Sequence, residues 1–400
     1  MASQIITTSV SGMDSSALAR ETAHQLRREA AGNPIKGGVL FCTVETQVES
    51  FRRALAEILP RVPFIGATSC LGVGVSTKFL SGEPGVGGFW FAGDDVVFGV
   101  HTIPLRNDPE SSGRELAKIV LEKSGLTKEQ ADFAFFLPTP GHEETLLKGV
   151  YELMGEDTVI IGGTAADNDL SGKWRTWSHD FSTDDGVSLA IGSWPKNTAV
   201  SYRGGYLSTD KKARVTKSVG RVLHELDGEP AAVVYNKWVD GKLDEYLERG
   251  GSVLGVSTLN PLGIVRGSFG GLDAFVLIHP ETVIAESGAL TTFAEIKEGE
   301  TVYLMQSTKR SLVKRGSNVA QWSMNLGGFE EGDIAGGFMV YCGGCVLAIR
   351  DEIEEMLSLF SDKLGGAPWI SYFSFGEQGC VIPRKVDHGN LMNAVLLFEK

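Results

Sequence analysis

Long apolar runs are the first thing missing. No stretch approaches the roughly 18 consecutive apolar residues of a spanning helix, so the sequence predicts no membrane helix. Cysteine is scarce: five in 400 residues, odd in number and dispersed. That excludes a disulfide framework and fits a reducing compartment. Basic character is lacking too. The formal net charge is −13, which argues against nucleic acid and against an anionic membrane surface. Lys211–Arg214 and Lys309–Arg315 are short, local exceptions. The opening MASQIITTSVSGMDSS has neither a basic n-region nor an apolar h-region, so the expectation is a cytoplasmic protein that is not secreted. Also absent are a Walker lysine pattern, HExxH, GxSxG and a complete GxGxxG with its acidic partner. The common phosphoryl-transfer, zincin, hydrolase and dinucleotide signatures go with them.

Glycine is abundant, at 50 residues against an average usage of roughly 7%. The glycines close apolar runs instead of forming low-complexity tracts, as strand ends and tight turns require. Val39–Gly74 reads as an apolar strand (Val39–Cys42), an amphipathic helix (Glu45–Leu59), a proline and a second strand (Phe64–Gly66). Val48, Phe51, Leu55, Ile58 and Leu59 share one helix face. A strand–helix–strand of this length pairs its strands in parallel. The same order returns in Phe133–Asp169 and, more loosely, in Phe338–Gly379, which argues for internal duplication.

The sequence predicts a helix over 13–31, opened by Asp14 or Ser15 and closed at Gly32, and another near Gly113–Ser124. Gly87–Phe91 with Val96–His101, and Gly186–Trp194 with Thr198–Gly205, read as antiparallel hairpins. Repeat signal stops after Gly220, and a boundary is expected near Gly228. That divides the chain into a domain over 1–228 with two repeat units and one over 229–400 with the third. The fold class is α/β to α+β: duplicated strand–helix–strand–hairpin units forming mixed sheets flanked by helices, in two domains.

In such sheets ligands bind beyond the carboxyl ends of the parallel strands. That selects Cys42-Thr43, Pro138-Thr139, Cys342–Cys345, Gly66–Cys70, Gly162–Ala166 and Phe375–Cys380. Their Gly, Ser and Thr content suits a small polar or anionic ligand in a shared cleft; tight turns would use the same residues. Cys342-Gly343-Gly344-Cys345, between a strand and a helix, has the setting of a dithiol site or of two small buried residues. Cys380 with His388 could pair a thiol with a base, or be a turn and a surface histidine. No histidines stand at metal spacing. A haem needs only one axial histidine, for which His142 and His388 qualify by position. Asp167–Ser178 begins like a calcium loop but lacks the bidentate glutamate at its twelfth position, and reads as a turn.

At these residues the chain resembles the FIST family, sensory proteins with adjoining FIST N and FIST C domains. The resemblance runs from about Lys36 to the end. Phe64–Ser69, Ile161–Asp167 and Glu225–Ala231 carry it in the first domain. Pro261–Gly263, Glu298-Gly299, Val302–Met305, Cys342, Phe375–Gly379, His388 and Asn390 carry it in the second. It implies an intracellular module that senses a small molecule such as an amino acid and works beside a signalling protein such as a histidine kinase. Some stand-alone members are haem proteins that sense nitric oxide. After Cys342 the family usually has a small residue or two and then Arg, where this chain has Cys345; that departure touches the ligand.

The expected function is therefore a non-enzymatic sensor, with Thr68, Ser69, Thr164, Asp167, Cys342, Glu377 and His388 walling the cleft. A haem-based nitric-oxide sensor using His142 or His388 is the first alternative. The second is an enzyme built on Cys342/Cys345 or on Cys380 with His388.

Overall fold

Alternation along Ile35–Cys42 sets the first layer. Val39 and Phe41 enter the central core, while Leu40 and Cys42 face the helices. In Phe133–Pro138, Phe133, Phe135 and Leu137 point inward and Ala134 and Phe136 outward. Such two-residue periodicity buries both faces of a strand, one against helices and one against other strands. The structure, a computed structural model, describes residues 2–76, 78–269, 271–382 and 384–400.

The chain repeats one unit three times: outer strand, helix, core strand, helical segment, core strand, two-stranded arm, return strand. Unit one has its outer strand at Gln4–Ser11, core strands at Ile35–Cys42 and Phe64–Thr68, an arm at Val73–Val75 and Lys78–Leu80, and its return strand at Gly85–Ala92. Unit two has the same parts at Val97–Pro104, Phe133–Pro138, Val159–Gly163, Thr176–Ser178 with Ser182–Thr183, and Gly186–Ser193. Unit three has them at Thr198–Arg203, Ile334–Cys342, Trp369–Ser374, Glu377–Ile382 with Lys385–Gly389, and Asn393–Glu399. In all three the two core strands pair in parallel, as expected from sequence. The first helices match even at their ends. Asp14, Asp108 and Thr308 each accept a backbone N–H as N-cap, and Ala31, Gly125 and Gly328 end the helices in the left-handed region.

The two predicted hairpins do not form. Gly85–Ala92 is flanked by Gln4–Ser11 on one edge and Ile35–Cys42 on the other. With both hydrogen-bonding edges filled it cannot take Val97–Pro104, which pairs with Gly186–Ser193 in the next sheet. Gly186–Ser193 is likewise flanked by Val97–Pro104 and Phe133–Pro138, so Thr198–Arg203 pairs with Asn393–Glu399. Each run is a link between units.

The arms are exchanged in a ring. Unit one's arm joins the sheet of unit three, unit two's joins unit one, and unit three's joins unit two. The result is three six-stranded sheets with paired helices outside and a shared aromatic core inside. Phe41 stacks on Tyr372 at 3.8 Å, Phe135 meets Phe338 at 4.6 Å and Phe133 meets Phe398 at 5.2 Å, so every unit supplies rings.

Residues 207–306 are an insertion in unit three, between its outer strand and the helix Lys309–Gly327. They form a nine-stranded antiparallel sheet with a hydrophobic core of their own around Leu226, Tyr235, Leu262 and Leu304. That sheet takes strands from both sides of Gly228. No helix among the described residues is long and apolar enough to cross a membrane.

Candidate functional site

The carboxyl end of Ile334–Cys342 is where unit two, unit three and the insertion meet. Cys342 ends the strand and is N-cap of the short helix Gly343–Ala348. Phe375 follows the neighbouring core strand, and residues 168–170 follow the last core strand of unit two. The insertion contributes Leu254, His279 and Phe293. Together with Gly344, Leu347 and Asn390 these residues line a cleft of about 170 Å³. It lies beyond parallel strand ends, as the sequence rule requires.

The cleft is mostly apolar with two buried polar groups facing it. Asn390 is 2% exposed and its side-chain amide N–H group has no partner. Its Oδ1 accepts the His279 backbone N–H at 3.4 Å, which fixes the amide's orientation. His279 is buried, and burial pushes its imidazole down to about 3, so the ring is neutral at physiological pH. Its Nε2 lies 3.3 Å from the Thr258 hydroxyl.

Behind Cys342 lies a charged cluster. Glu377 is fully buried; its carboxyl accepts Ser374 Oγ–H at 2.7 Å and the Met392 N–H at 2.9 Å. Burial pushes it up to about 8 against those two bonds. Arg315 is 2% exposed and lies 4.2 Å over the Tyr341 ring. Its Nη1 donates to the carbonyls of Gly204 (2.9 Å) and Leu391 (2.7 Å), while Nε and Nη2 have no aligned partner. Burial pushes the Cys342 thiol well up. Burial would do the same to Cys345, but the contact with Cys342 and the Arg315 charge bring it down to about 6. Sequence reasoning missed Arg315. Its signal was a cation in phase with Leu312, Val319 and Ala320 on the buried face of a helix.

Of the expected wall, Cys342 lines the cleft and Glu377 sits behind it. The others are buried with their polar atoms committed elsewhere, except that His388 Nε2 has no partner. Thr68 Oγ1 accepts the Arg175 N–H at 2.9 Å, holding unit two's arm to unit one. Ser69 Oγ donates to the Gly72 carbonyl at 2.5 Å and accepts the Phe373 N–H at 2.9 Å. The Asp167 carboxylate accepts N–H groups of Asp169, Leu170 and Lys173, the turn expected in place of a calcium loop. Thr164 donates to Glu143 at 3.2 Å, and His388 Nδ1 lies 2.9 Å from Gln378 Nε2.

Cys380 and His388 are not brought together. They share a hairpin, but Cys380 faces a surface pocket with Arg203 and Arg384, and His388 faces a different one. Burial pushes the Cys380 thiol up to about 11, away from reactivity. The ligand-type atoms of Glu143, Glu144 and His388 lie within 4.8 Å of one another, a grouping that spacing did not reveal. Arg221 already bridges both carboxylates at 2.7 and 2.8 Å, so a guanidinium occupies the side of the cluster that a cation would need and offsets one of its two negative charges. A haem does not fit either histidine. His142 is exposed, and the pocket at His388, about 240 Å³, is lined by Glu144, Lys148, Arg266, Lys297 and Asp387. Charged side chains of both signs line it beside His388, where a haem needs an apolar pocket.

Over 178 residues, 42% of this chain, the sequence is 32% identical to an uncharacterized protein of Methanocaldococcus jannaschii. The chain covers 31% of that relative's length. Among solved structures, a cyanuric acid hydrolase described as an innovation by structural concatenation aligns over 99% of both chains, at 9% identity and TM-score 0.37. The cyanuric acid hydrolase of A. caulinodans aligns over 50% of this chain and 71% of its own, at 9% identity and TM-score 0.30. Likenesses this distant carry no argument. The family models do. Residues 37–229 match the FIST N domain and residues 231–380 the FIST C domain. FIST domains are sensory and signalling domains, and this chain belongs to the FIST family.

Proposed function

We propose that the chain is an intracellular, non-enzymatic sensor that binds a small amino-acid-like molecule in the cleft between the insertion and units two and three. The observation that carries this reading is Asn390. A buried amide N–H without a partner is costly unless a ligand satisfies it, and this one lines a cleft at strand ends. The ligand's carbonyl or carboxylate would take that N–H, and its apolar part would lie on Leu254, Phe293 and Phe375. Leu170 and Leu347 line the same cleft and are 44% and 45% exposed. Covering them when the insertion closes would couple occupancy to shape. The output passes to a separate signalling protein such as a histidine kinase.

Titration calorimetry of the reduced protein with a panel of amino acids and related small acids tests this. One member is expected to bind, and Asn390→Leu to weaken it about tenfold, the worth of a hydrogen bond to a charged group. No heat from any member, with nothing small released on denaturing freshly purified protein, would overturn it. An absorption spectrum of protein expressed with haem precursor is expected to show no Soret band. A band that shifts with nitric oxide would replace this reading with the haem one.

A further inference from the structure

Arg315 poses an electrostatic problem. A guanidinium remains protonated in proteins, and leaving one buried without a counter-charge is strongly destabilising. Yet none of the ion pairs among the described residues includes Arg315. Its stacking on Tyr341 and its two carbonyl acceptors solvate the cation but do not neutralise it. Glu377, the acid whose field reaches it, is a buried carboxyl held toward its neutral form. What remains beside Arg315 is sulfur. Cys345 is wholly buried, with Tyr206 Oη at 3.5 Å. That hydroxyl has one proton and also faces the Thr258 carbonyl at 2.7 Å, so it can turn to a thiolate when one forms.

Cys342 lies one helical turn before Cys345, and its side chain lines the cleft. One sulfur thus meets whatever enters, and the other sits against a fixed positive charge. Leu254, His279 and Phe293 of the insertion line the same cleft as Cys342, and the cleft's volume of about 170 Å³ suits a small reagent.

We propose that Cys342 and Cys345 form a reversible dithiol–disulfide site, oxidised by a small hydroperoxide entering the cleft, with Arg315 neutralising the pair's single negative charge in the reduced state. The pair shares one proton. The proton rests mainly on Cys342, and reaction goes through the less populated arrangement with the proton on Cys345, because only Cys342 faces the cleft: its thiolate attacks the terminal peroxide oxygen, the S–O bond forms, the O–O bond breaks, and hydroxide (or alkoxide) leaves. That base takes the proton of Cys345. The resulting Cys345 thiolate attacks the Cys342 sulfur, forming the S–S bond and expelling hydroxide. With hydrogen peroxide the sum is one thiol–thiolate pair plus H₂O₂ giving disulfide, water and hydroxide. Both sulfurs are oxidised and the peroxide is reduced. Oxidation removes the thiolate whose charge disfavours ionised Glu377. Glu377 then supplies the negative charge for Arg315 and grips Met392 and Ser374 more strongly, which carries the redox state from the cleft into unit three's arm.

The site rests on the same cleft as the proposed ligand, but the two can fail separately: oxidation is read on ligand-free protein, ligand binding on reduced protein. Folded wild type is treated with hydrogen peroxide, quenched by iodoacetamide under denaturing conditions and mapped by mass spectrometry. The expected result is a peptide with Cys342 and Cys345 unalkylated and two hydrogens lighter, restored by dithiothreitol, with Cys42, Cys70 and Cys380 still alkylated. Full alkylation of all five, or irreversible sulfonic acid at either residue, overturns the proposal. The pH profile of the oxidation rate tests Arg315. Arg315→Met should move its midpoint up by at least one pH unit, roughly the effect of removing an adjacent charge, and Arg315→Lys should restore much of it. An unmoved midpoint in folded Arg315→Met overturns the charge pairing. If neither variant folds, the wild-type map alone decides the disulfide.

Discussion

Gly344 gives the most direct residue-scale test of the cleft. A Cβ there would lie 3.3 Å from His279 Cε1 and 3.5 Å from Leu391 Cδ2, so a methyl group intrudes into the space without a severe clash. Its backbone is helical, where Ala is favoured over Gly by roughly 0.5–1 kcal/mol. Gly344→Ala is therefore expected to keep or raise the melting temperature while weakening ligand binding, and unchanged affinity by calorimetry would place the ligand elsewhere. His279 and Glu377 predict opposite pH trends. The His279 pKa is lowered from 6.5 to about 3, so its contribution to stability is present above 6.5 and is lost as pH falls toward 3. Glu377 is raised from 4.5 to about 8, so its contribution is present below 4.5 and is lost as pH rises toward 8. Glu377→Gln should flatten the decline in chemical-denaturation stability between pH 4.5 and 8 while leaving the acid limb in place. A wild-type-like slope in that variant would assign the decline to another group. Cys342 and Glu377 were legible as candidates because one ends a core strand and the other lies just beyond the end of one; Arg315, Asn390 and His279 gain their meaning from partners distant in sequence.

At the scale of elements, the exchanged arms hold the molecule together. Trp177, on unit two's arm, is wholly buried against unit one, where Gly66 makes room for it. A Cβ at Gly66 would stand 2.3 Å from the Trp177 ring and 2.4 Å from the Leu40 carbonyl oxygen. Gly66→Ala is thus expected to cost at least the ~1–3 kcal/mol of an overpacked core, read as a lower urea midpoint. A midpoint within error of wild type would mean the arm is not seated there. The sequence announced the core strands, their parallel pairing and the capped first helix, because periodicity and capping are local. It misled on the hairpins for an equally physical reason. Two β runs joined by Gly93-Asp94-Asp95 carry every local sign of a hairpin. Whether they pair depends on whether the edges of Gly85–Ala92 are already occupied, by strands that begin up to about eighty residues earlier.

At the scale of the molecule, the ring of arms makes the three units interdependent, whereas the insertion has a core of its own. Residues 207–306 expressed alone are expected to hold their antiparallel sheet, and residues 1–193, lacking the sheet that receives unit one's arm and the arm that completes unit two, are expected not to fold. Hydrogen exchange on the fragments checks both; native-like protection in 1–193 would refute the interdependence. By itself the sequence determined the class, the repeated βαβ unit, the acidic character and the strand ends where a ligand could sit, since these follow from the order of neighbouring residues. Only the tertiary structure decided which strand pairs with which, that the expected hydroxyls are committed to seams between units, and that a cleft opens where the insertion meets Cys342 and Asn390. Those outcomes rest on edges, charges and volumes contributed by residues far apart in the chain.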